Sequence, residues 1–321
     1  MKSKISRNAF LIATICAAIL TGCGGGGGGS TSAEDTTVAS HSLTMAEAQA
    51  LAGRVARIPG IANSLTEFSR ILSNYFDPFG GTSVPNSCSL GGSYTVLQSD
   101  PDKNFRLSAG DSVSLIANHC EDADPASKAK VGMDGRIDLD ALDASVFKPY
   151  SSAPGWSIRA RQRHSAFKID LDIGSVQLDG SAEVEDKFDE HNYGFFDFHY
   201  ITSRSSNTVK IHSGKLARKN ETIQGRTQTR ALYSDLVVRT TLPGSDSVSI
   251  TVPASSNSSL IFGSDGTVLD GVLVLQLDNA KIIVTVVGRD RIRIDVDNNN
   301  DGVVDLTSEM SWPALYNAGI L

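Results

Sequence analysis

From Ser93 to Asp297 apolar and polar residues alternate, segment after segment, and this period of two constrains the fold more than any other feature. Successive side chains of a strand point to opposite faces of a sheet. Sustained alternation therefore means strands with one buried and one wet face, the signature of antiparallel sheets. "SIRARQRH" (157–164) sets Arg159, Arg161 and Arg163 on one side. "FKIDLDI" sets Phe167, Ile169, Leu171 and Ile173 against Lys168, Asp170 and Asp172. "SVQLDGSAEVEDKF" sets Val176, Leu178, Ala182 and Val184 against Gln177, Asp179, Glu183 and Glu185. "FFDFHYI", "ALYSDLVVRTTL", "SVSITVPA", "GVLVLQL", "KIIVTVV" and "RIRIDVD" continue the pattern to residue 297. Turn signals separate them: "NYG" at 192–194, "GSDG" at 263–266, "LDNA" at 277–280 and "GRD" at 288–290. Ten or more such strands must curl or close to hide their edges. The expected fold is mainly β, a strongly curved antiparallel meander sheet or a soluble barrel spanning residues 78–321. The strands lack the aromatic girdles and outward apolar band of a membrane barrel.

A helical hairpin is expected ahead of the sheet, over residues 44–77. Thr44 and Glu47 have capping-box spacing, followed by Ala46, Ala50, Leu51 and Val55 on one face. Pro59-Gly60 reads as the stop of that helix. Ser64 and Glu67 repeat the box, followed by Phe68, Ile71, Leu72 and Tyr75. The hairpin reads as a lid or plug on the sheet.

The N-terminus carries an address. Lys2, Lys4 and Arg7 precede "AFLIATICAAIL" (9–20), an apolar run too short to reside in a bilayer and suited to the h-region of a secretory signal. "LTGC" follows, ending at Cys23. It resembles the bacterial lipobox, in which cleavage before the Cys leaves a diacylated N-terminal residue. The resemblance implies a signal peptide over 1–22, lipid such as palmitate on Cys23, and a membrane as partner. "GGGGGGSTSAEDTTVAS" (24–40) has no apolar periodicity and reads as a flexible tether over 23–43 with a span on the order of 20–25 Å. In the lipoprotein sorting pattern, Asp directly after the lipidated Cys favours inner-membrane retention. Gly24 stands there, so the resemblance implies the outer membrane, with the body in the periplasm or on the cell surface.

The formal charge of −7 becomes about −10 once Lys2, Lys4 and Arg7 are removed, which argues against a nucleic-acid partner. Four cysteines are present. Cys16 leaves with the signal and Cys23 takes lipid, so Cys88 and Cys120 are expected to pair in an oxidising compartment.

Two acidic loops are candidate calcium sites. In "DVDNNNDGVVD" (295–305), Asp297, Asn299 and Asp301 fall at positions 1, 3 and 5 of a loop, Gly302 at 6, Val303 at 7 and Asp305 at 9. Alternate side chains can turn inward around a hard cation while Gly permits the bend. This resembles the EF-hand-type DxDxDG loop, departing from it at position 12, where Ser308 replaces the bidentate Glu. In "DPDKNFRLSAGD", Asp100, Asp102, Asn104 and Asp111 take positions 1, 3, 5 and 12, with Phe105 where Gly belongs, a weaker match. The alternative for both is an Asx-rich turn without metal.

Catalytic motifs are missing: no GxSxG, HExxH, Walker loop or SxxK linked to a KTG is present, and no catalytic residue is assigned. His191 and His199, with Asp189, Glu190 and Asp197, have the residue types of a carboxylate–histidine metal or acid–base site, and read as a polar turn and strand face. The lipobox, the Gly tether, "CSLGGSYTV", "LSAGDSVSLIANHC" and the terminal "DVDNNNDGVVD" together resemble uncharacterised β-rich lipoproteins of proteobacteria, a resemblance that carries no known activity. The expected function is that of an outer-membrane-anchored, non-enzymatic lipoprotein, structural or surface-interacting, stabilised by calcium and a disulfide. Alternatives are a binder of lipid or a small apolar ligand in a β cavity, and a glycan-active envelope enzyme.

Overall fold

A computed structural model describes residues 42–76, 85–104, 107–123, 130–144, 157–171, 174–187, 189–202, 208–223, 225–242 and 247–319. The signal, Cys23 and the tether as far as residue 41 lie outside the described residues, and Leu43 at the tether's expected end is buried. The described chain is mainly β and antiparallel, preceded by a helical pair. Its described residues divide into two compact units, one within 60–203 and one within 42–59 and 204–321.

The first unit holds most of helix α2 (Ile58–Tyr75) and strands β1 (Asn86–Ser87), β2 (Gly91–Ser99), β3 (Ser112–Ala123), β4 (Lys130–Ala144), β5 (Ser157–Leu171), β6 (Gly174–Lys187) and β7 (Glu190–Thr202). Each strand pairs with the next in chain order, the meander expected from alternation. The second unit holds α1 (Met45–Ala56), β8 (Val209–Ile223), β9 (Arg226–Thr241), β10 (Ser247–Val252), β11 (Ser259–Gly263), β12 (Val268–Gln276), β13 (Lys281–Gly288), β14 (Arg291–Asp297), β15 (Leu306–Ser311) and α3 (Trp312–Ala318). There β10 and β11 share one edge of the long β9, and both meet β12 on their far side. β12 to β15 then run as consecutive hairpins.

Strands β3, β5, β7 and β9 each contain a bulge, and the bulge shifts the inward phase. In β5, Ile158, Ala160, Gln162 and His164 are buried, Ser165 and Ala166 are exposed, and burial resumes at Phe167 and Ile169. "SIRARQRH" and the described part of "FKIDLDI", to Leu171, are thus one strand joined through a slip of register. His119, Ala166, Asp197 and Asp235 carry the slip with φ near +47°. A glycine with positive φ lies on the paired strand each time: Gly92, Gly135, Gly180 and Gly214. A Cβ on Gly135 would lie 2.4 Å from the Ala166 carbonyl oxygen, and one on Gly180 would lie 2.1 Å from that of Asp197. An extra residue in one strand increases twist and bends that strand locally.

Four local expectations need correction. The Thr44 box forms as expected, with the Thr44 Oγ1 accepting from the Glu47 N–H and the Thr44 N–H donating to Glu47. Ala46, however, is exposed, and Ala48 takes its place in the interior. The Pro59-Gly60 pair does not end a helix. It opens α2, because a proline in the first turn gives up no intrahelical hydrogen bond. Ser64 is therefore inside the helix, and its hydroxyl donates back to the Gly60 carbonyl (3.4 Å). Finally, "NYG" lies within β7, where Tyr193 is buried, and the chain reverses ahead of Glu190. The other three turns fall where expected.

Helix α3 had no counterpart among the expected elements. Ser311 caps it, Pro313 sits in its first turn, and Trp312 packs edge-on against Phe262 (5.7 Å between centroids). It lies so close to α1 that a Cβ on Gly53 would fall 2.3 Å from the Leu315 carbonyl oxygen. Arg57 donates to the Tyr316 carbonyl (2.8 Å) and stacks over its ring at 4.5 Å. Buried Arg54 donates to Thr240 and to the Thr241 carbonyl.

Candidate functional site

The C-terminal acidic loop leaves β14 at Asp297 and rejoins the sheet at Leu306. Its shape follows from side chains of the three ligand-like positions accepting from the backbone ahead of them. Asp297 accepts from the N–H groups of Asp301 (3.2 Å) and Gly302 (2.8 Å). Asn299 accepts from Asp301 (3.2 Å), and Asp301 accepts from Val303 (2.7 Å). Gly302 takes φ +90°, as its place at the bend requires. Asp305 accepts from the Asn298 N–H (2.7 Å), closing the loop's base. These bonds bring Asp297, Asn299 and Asp301 together at the bend. A carboxylate has about four lone-pair sites, so the bonds do not exhaust their oxygens.

Asn298, which the spacing passed over, has a separate task. Its amide oxygen accepts from the Leu43 N–H (2.7 Å) and its amide nitrogen donates to the Leu43 carbonyl (3.2 Å). One side chain thus replaces a strand neighbour for the residue just ahead of α1. An Asn outside the metal-ligand positions of an acidic loop was the available signal.

The first acidic loop joins β2 to β3, and residues 105–106 within it lie outside the described residues. Here an oxygen of each of Asp100, Asp102 and Asp111 lies within 4.8 Å of an oxygen of the other two. Asn104 is drawn in as well, donating through Nδ2 to Asp102 (2.7 Å) and to Ser108 (2.9 Å). Asp111 is 1% exposed. Burial first, then the charges of Asp100 and Asp102, push its carboxyl above the usual range. The Asn104 backbone N–H foremost holds exposed Asp102 below it. The looser sequence match therefore gathers three carboxylates.

Cys88 and Cys120 form the expected disulfide, with Cα atoms 5.5 Å apart, linking the entry of β2 to the far end of β3. Asp122 beside them accepts from the Ser89 N–H (2.7 Å).

The arginine row on β5 is matched by acid. Arg161 and Arg159 both reach Glu183, at 2.8 and 3.2 Å, and Arg163 reaches Asp140 at 2.8 Å. The Arg161 hydrogen bond foremost holds Glu183 below the usual carboxylate range. Exposed pairs of this kind contribute at most about 1 kcal/mol each.

Two polar links join α2 to the sheet beneath it. Gln162 donates through Nε2 to the Leu65 carbonyl (2.5 Å) and to Ser69 Oγ (2.6 Å), while its Oε1 meets His164 Nε2 at 3.1 Å. His164 is ringed by Phe68, Phe167 and Phe198. Burial lowers its pKa to about 3. In the second link Arg70 donates through Nε to Asp186 (3.0 Å), and His191 Nδ1 meets the same fully buried carboxylate at 2.6 Å. Of the histidines and carboxylates weighed as an acid–base cluster, His191 joins this link. Its partner is Asp186, five residues earlier across the turn, and Asp197 sits at the β7 bulge instead. Polar residues at inward positions of an alternating strand, Gln162 and His164, were the missed signal.

No protein-family model, no curated protein and no solved structure matches this chain. No helix among the described residues is long and apolar enough to cross a membrane.

Proposed function

We propose that this chain is a lipoprotein anchored to the outer membrane through acylated Cys23, with a non-enzymatic body that serves envelope structure or surface contact. The observation that carries the reading is the distribution of its cysteines. Two are joined in the body, as an exported protein permits, and Cys23 stands at the acceptor position of a lipobox. The packing of α2 favours a structural body over a lipid binder. Its Phe68 meets Phe167 at 5.6 Å, its Thr66 bonds buried Tyr193 (2.6 Å), and it is bonded to β5 and ion-paired to β6. A ligand seated on that face of the first unit would have to displace the helix. The paired state of Glu183, Asp140 and Asp186 favours the same reading over a glycan-active enzyme, which requires two carboxylates left for acid–base work.

Calcium in the C-terminal loop, held by Asp297, Asn299, Asp301, the Val303 carbonyl and Asp305, belongs to this proposal. Weak binding suffices, because a ligand at a hundredfold excess over its dissociation constant adds about 2.7 kcal/mol of stability.

The test is expression of the full chain in a Gram-negative host fed a clickable palmitate analogue. Label on the protein and recovery in outer-membrane fractions are expected, and Cys23→Ser should abolish the label. Unlabelled, freely soluble wild-type protein would refute the anchor.

A further inference from the structure

We propose that the β2–β3 loop binds a divalent cation, with calcium preferred, through Asp100, Asp102 and Asp111. The inference rests on the reading above only for the class of ion, since its ligands and its place in the fold differ from those of the C-terminal loop.

Convergence of three carboxylates is one observation: an oxygen of each lies within 4.8 Å of an oxygen of the other two. Oxygens that share a calcium ion at 2.3–2.6 Å lie at most about 5 Å apart, so no rearrangement of the backbone is needed. The second observation concerns Asp111. Its side chain, 1% exposed, points into this cluster. Oδ2 accepts from the Ser108 N–H (2.6 Å) and hydroxyl (3.1 Å). Oδ1 is sealed from solvent and has no hydrogen-bond partner among the described residues. A buried carboxylate oxygen without a partner costs free energy, and a cation between the three groups supplies it.

The donors are all oxygen, which selects a hard cation. Three protein carboxylates suit calcium, with its six to eight ligands, better than magnesium, which keeps most of its water. Asp102 is exposed, so water can complete the shell. Asp111 is the fixed member. Its carbonyl accepts from the Ala141 N–H, and the Gly110 N–H donates to the Ala141 carbonyl, both at 2.9 Å, fastening the loop to β4. The β2–β3 hairpin would then be secured at both ends, by the disulfide at one and the ion at the other. Affinity on the order of 10⁻⁴–10⁻³ M, the range of extracellular modules, is expected.

The test is calorimetric titration of calcium, and of magnesium as control, into EDTA-stripped, full-length, oxidised protein in detergent. Asp102→Asn, Asp111→Asn and, in the other loop, Asp301→Asn are compared with the wild type. Asp102 is exposed, so its variant folds even if Asp111→Asn does not. A calcium event weakened at least tenfold by Asp102→Asn and retained in Asp301→Asn supports the proposal. Its persistence in Asp102→Asn overturns the proposal, as does the absence of any calcium event up to 10 mM in the wild type. Loss in Asp301→Asn alone assigns the ion to the C-terminal loop, which overturns this inference and leaves the reading above standing.

Discussion

Neutral His164 beneath α2 makes the first unit sensitive to mild acid. The imidazole is 2% exposed, and burial lowers its pKa from an ordinary 6.5 to about 3, with nearby Asp138 offsetting a smaller part. Between those values the unfolded chain takes up a proton that the folded chain refuses. Stability therefore falls as pH falls through 6.5, and keeps falling until the folded-state value is reached. The slope approaches 1.4 kcal/mol per pH unit. From pH 7.5 to 5.0 the loss from this one group is about 2 kcal/mol, a large share of the 5–15 kcal/mol typical of a folded domain. His164→Leu removes the titrating group. At pH 7.5 the variant should be weaker than wild type by about 1–3 kcal/mol, because Gln162 Oε1 loses its partner. Between pH 7.5 and 5.0 it should then lose about 2 kcal/mol less than wild type does. Urea unfolding by circular dichroism at the two pH values gives this double difference. Carboxylate titrations common to both proteins cancel. A double difference within 0.5 kcal/mol of zero would refute the reasoning, since it would mean that His164 reaches solvent or a counter-charge in the folded state.

Other outcomes follow from single contacts. Gly53→Ala drives a Cβ to 2.3 Å from the Leu315 carbonyl oxygen, and should cost about 1–3 kcal/mol in urea melts while freeing α3 to exchange amide protons faster. Reduction of Cys88–Cys120, or Ser at both positions, should lower stability by about 3.5–4 kcal/mol for a loop of this length, measured by denaturant midpoint. Asn298→Ala removes both bonds to Leu43 and should speed exchange of the Leu43 amide, with a cost of about 1–2 kcal/mol. Gly180→Ala should destabilise by more than about 1–2 kcal/mol, because φ is +96° and the Asp197 carbonyl oxygen lies 2.1 Å from the new Cβ; equal midpoints would contradict the bulge geometry.

The alternation made the β class and the meander legible, because a buried face repeats every second residue whatever the tertiary details. Where two strands meet a bulge the rule breaks, and the sequence shows the break only as two adjacent outward residues, Ser165-Ala166 in β5 or Phe196-Asp197 in β7. The in-strand glycines were visible, and Gly within an alternating segment signals a bulge. Pro59 misled because proline both stops helices and opens them, and only the fold decides which. The disulfide was readable from arithmetic on four cysteines. The convergence of carboxylates in the first acidic loop was not. Spacing alone favours residues 297–305, whereas the gathering of Asp100, Asp102 and Asp111 depends on Asp111 being pinned to β4, a contact between residues 30 apart. The partnership of Asp186 with Arg70 joins residues 116 apart.

The bulges carry a consequence for how the strands find one another. Alternation of period two distinguishes inside from outside, but it cannot tell one alignment from another displaced by two residues. Both put the same faces inward. A bulge breaks that degeneracy, because it occurs once along the strand and its left-handed residue must meet a glycine on the partner. Displacing β6 against β7 by two residues would set a side chain where Gly180 now receives the Asp197 carbonyl. The bulge works as the notch of a key in an otherwise uniform ladder, rejecting alignments that hydrophobicity alone would accept. In long hairpins of thirteen to sixteen residues per strand, where near-equivalent alignments are most numerous, such a mark removes the slipped states most prone to trap a folding chain.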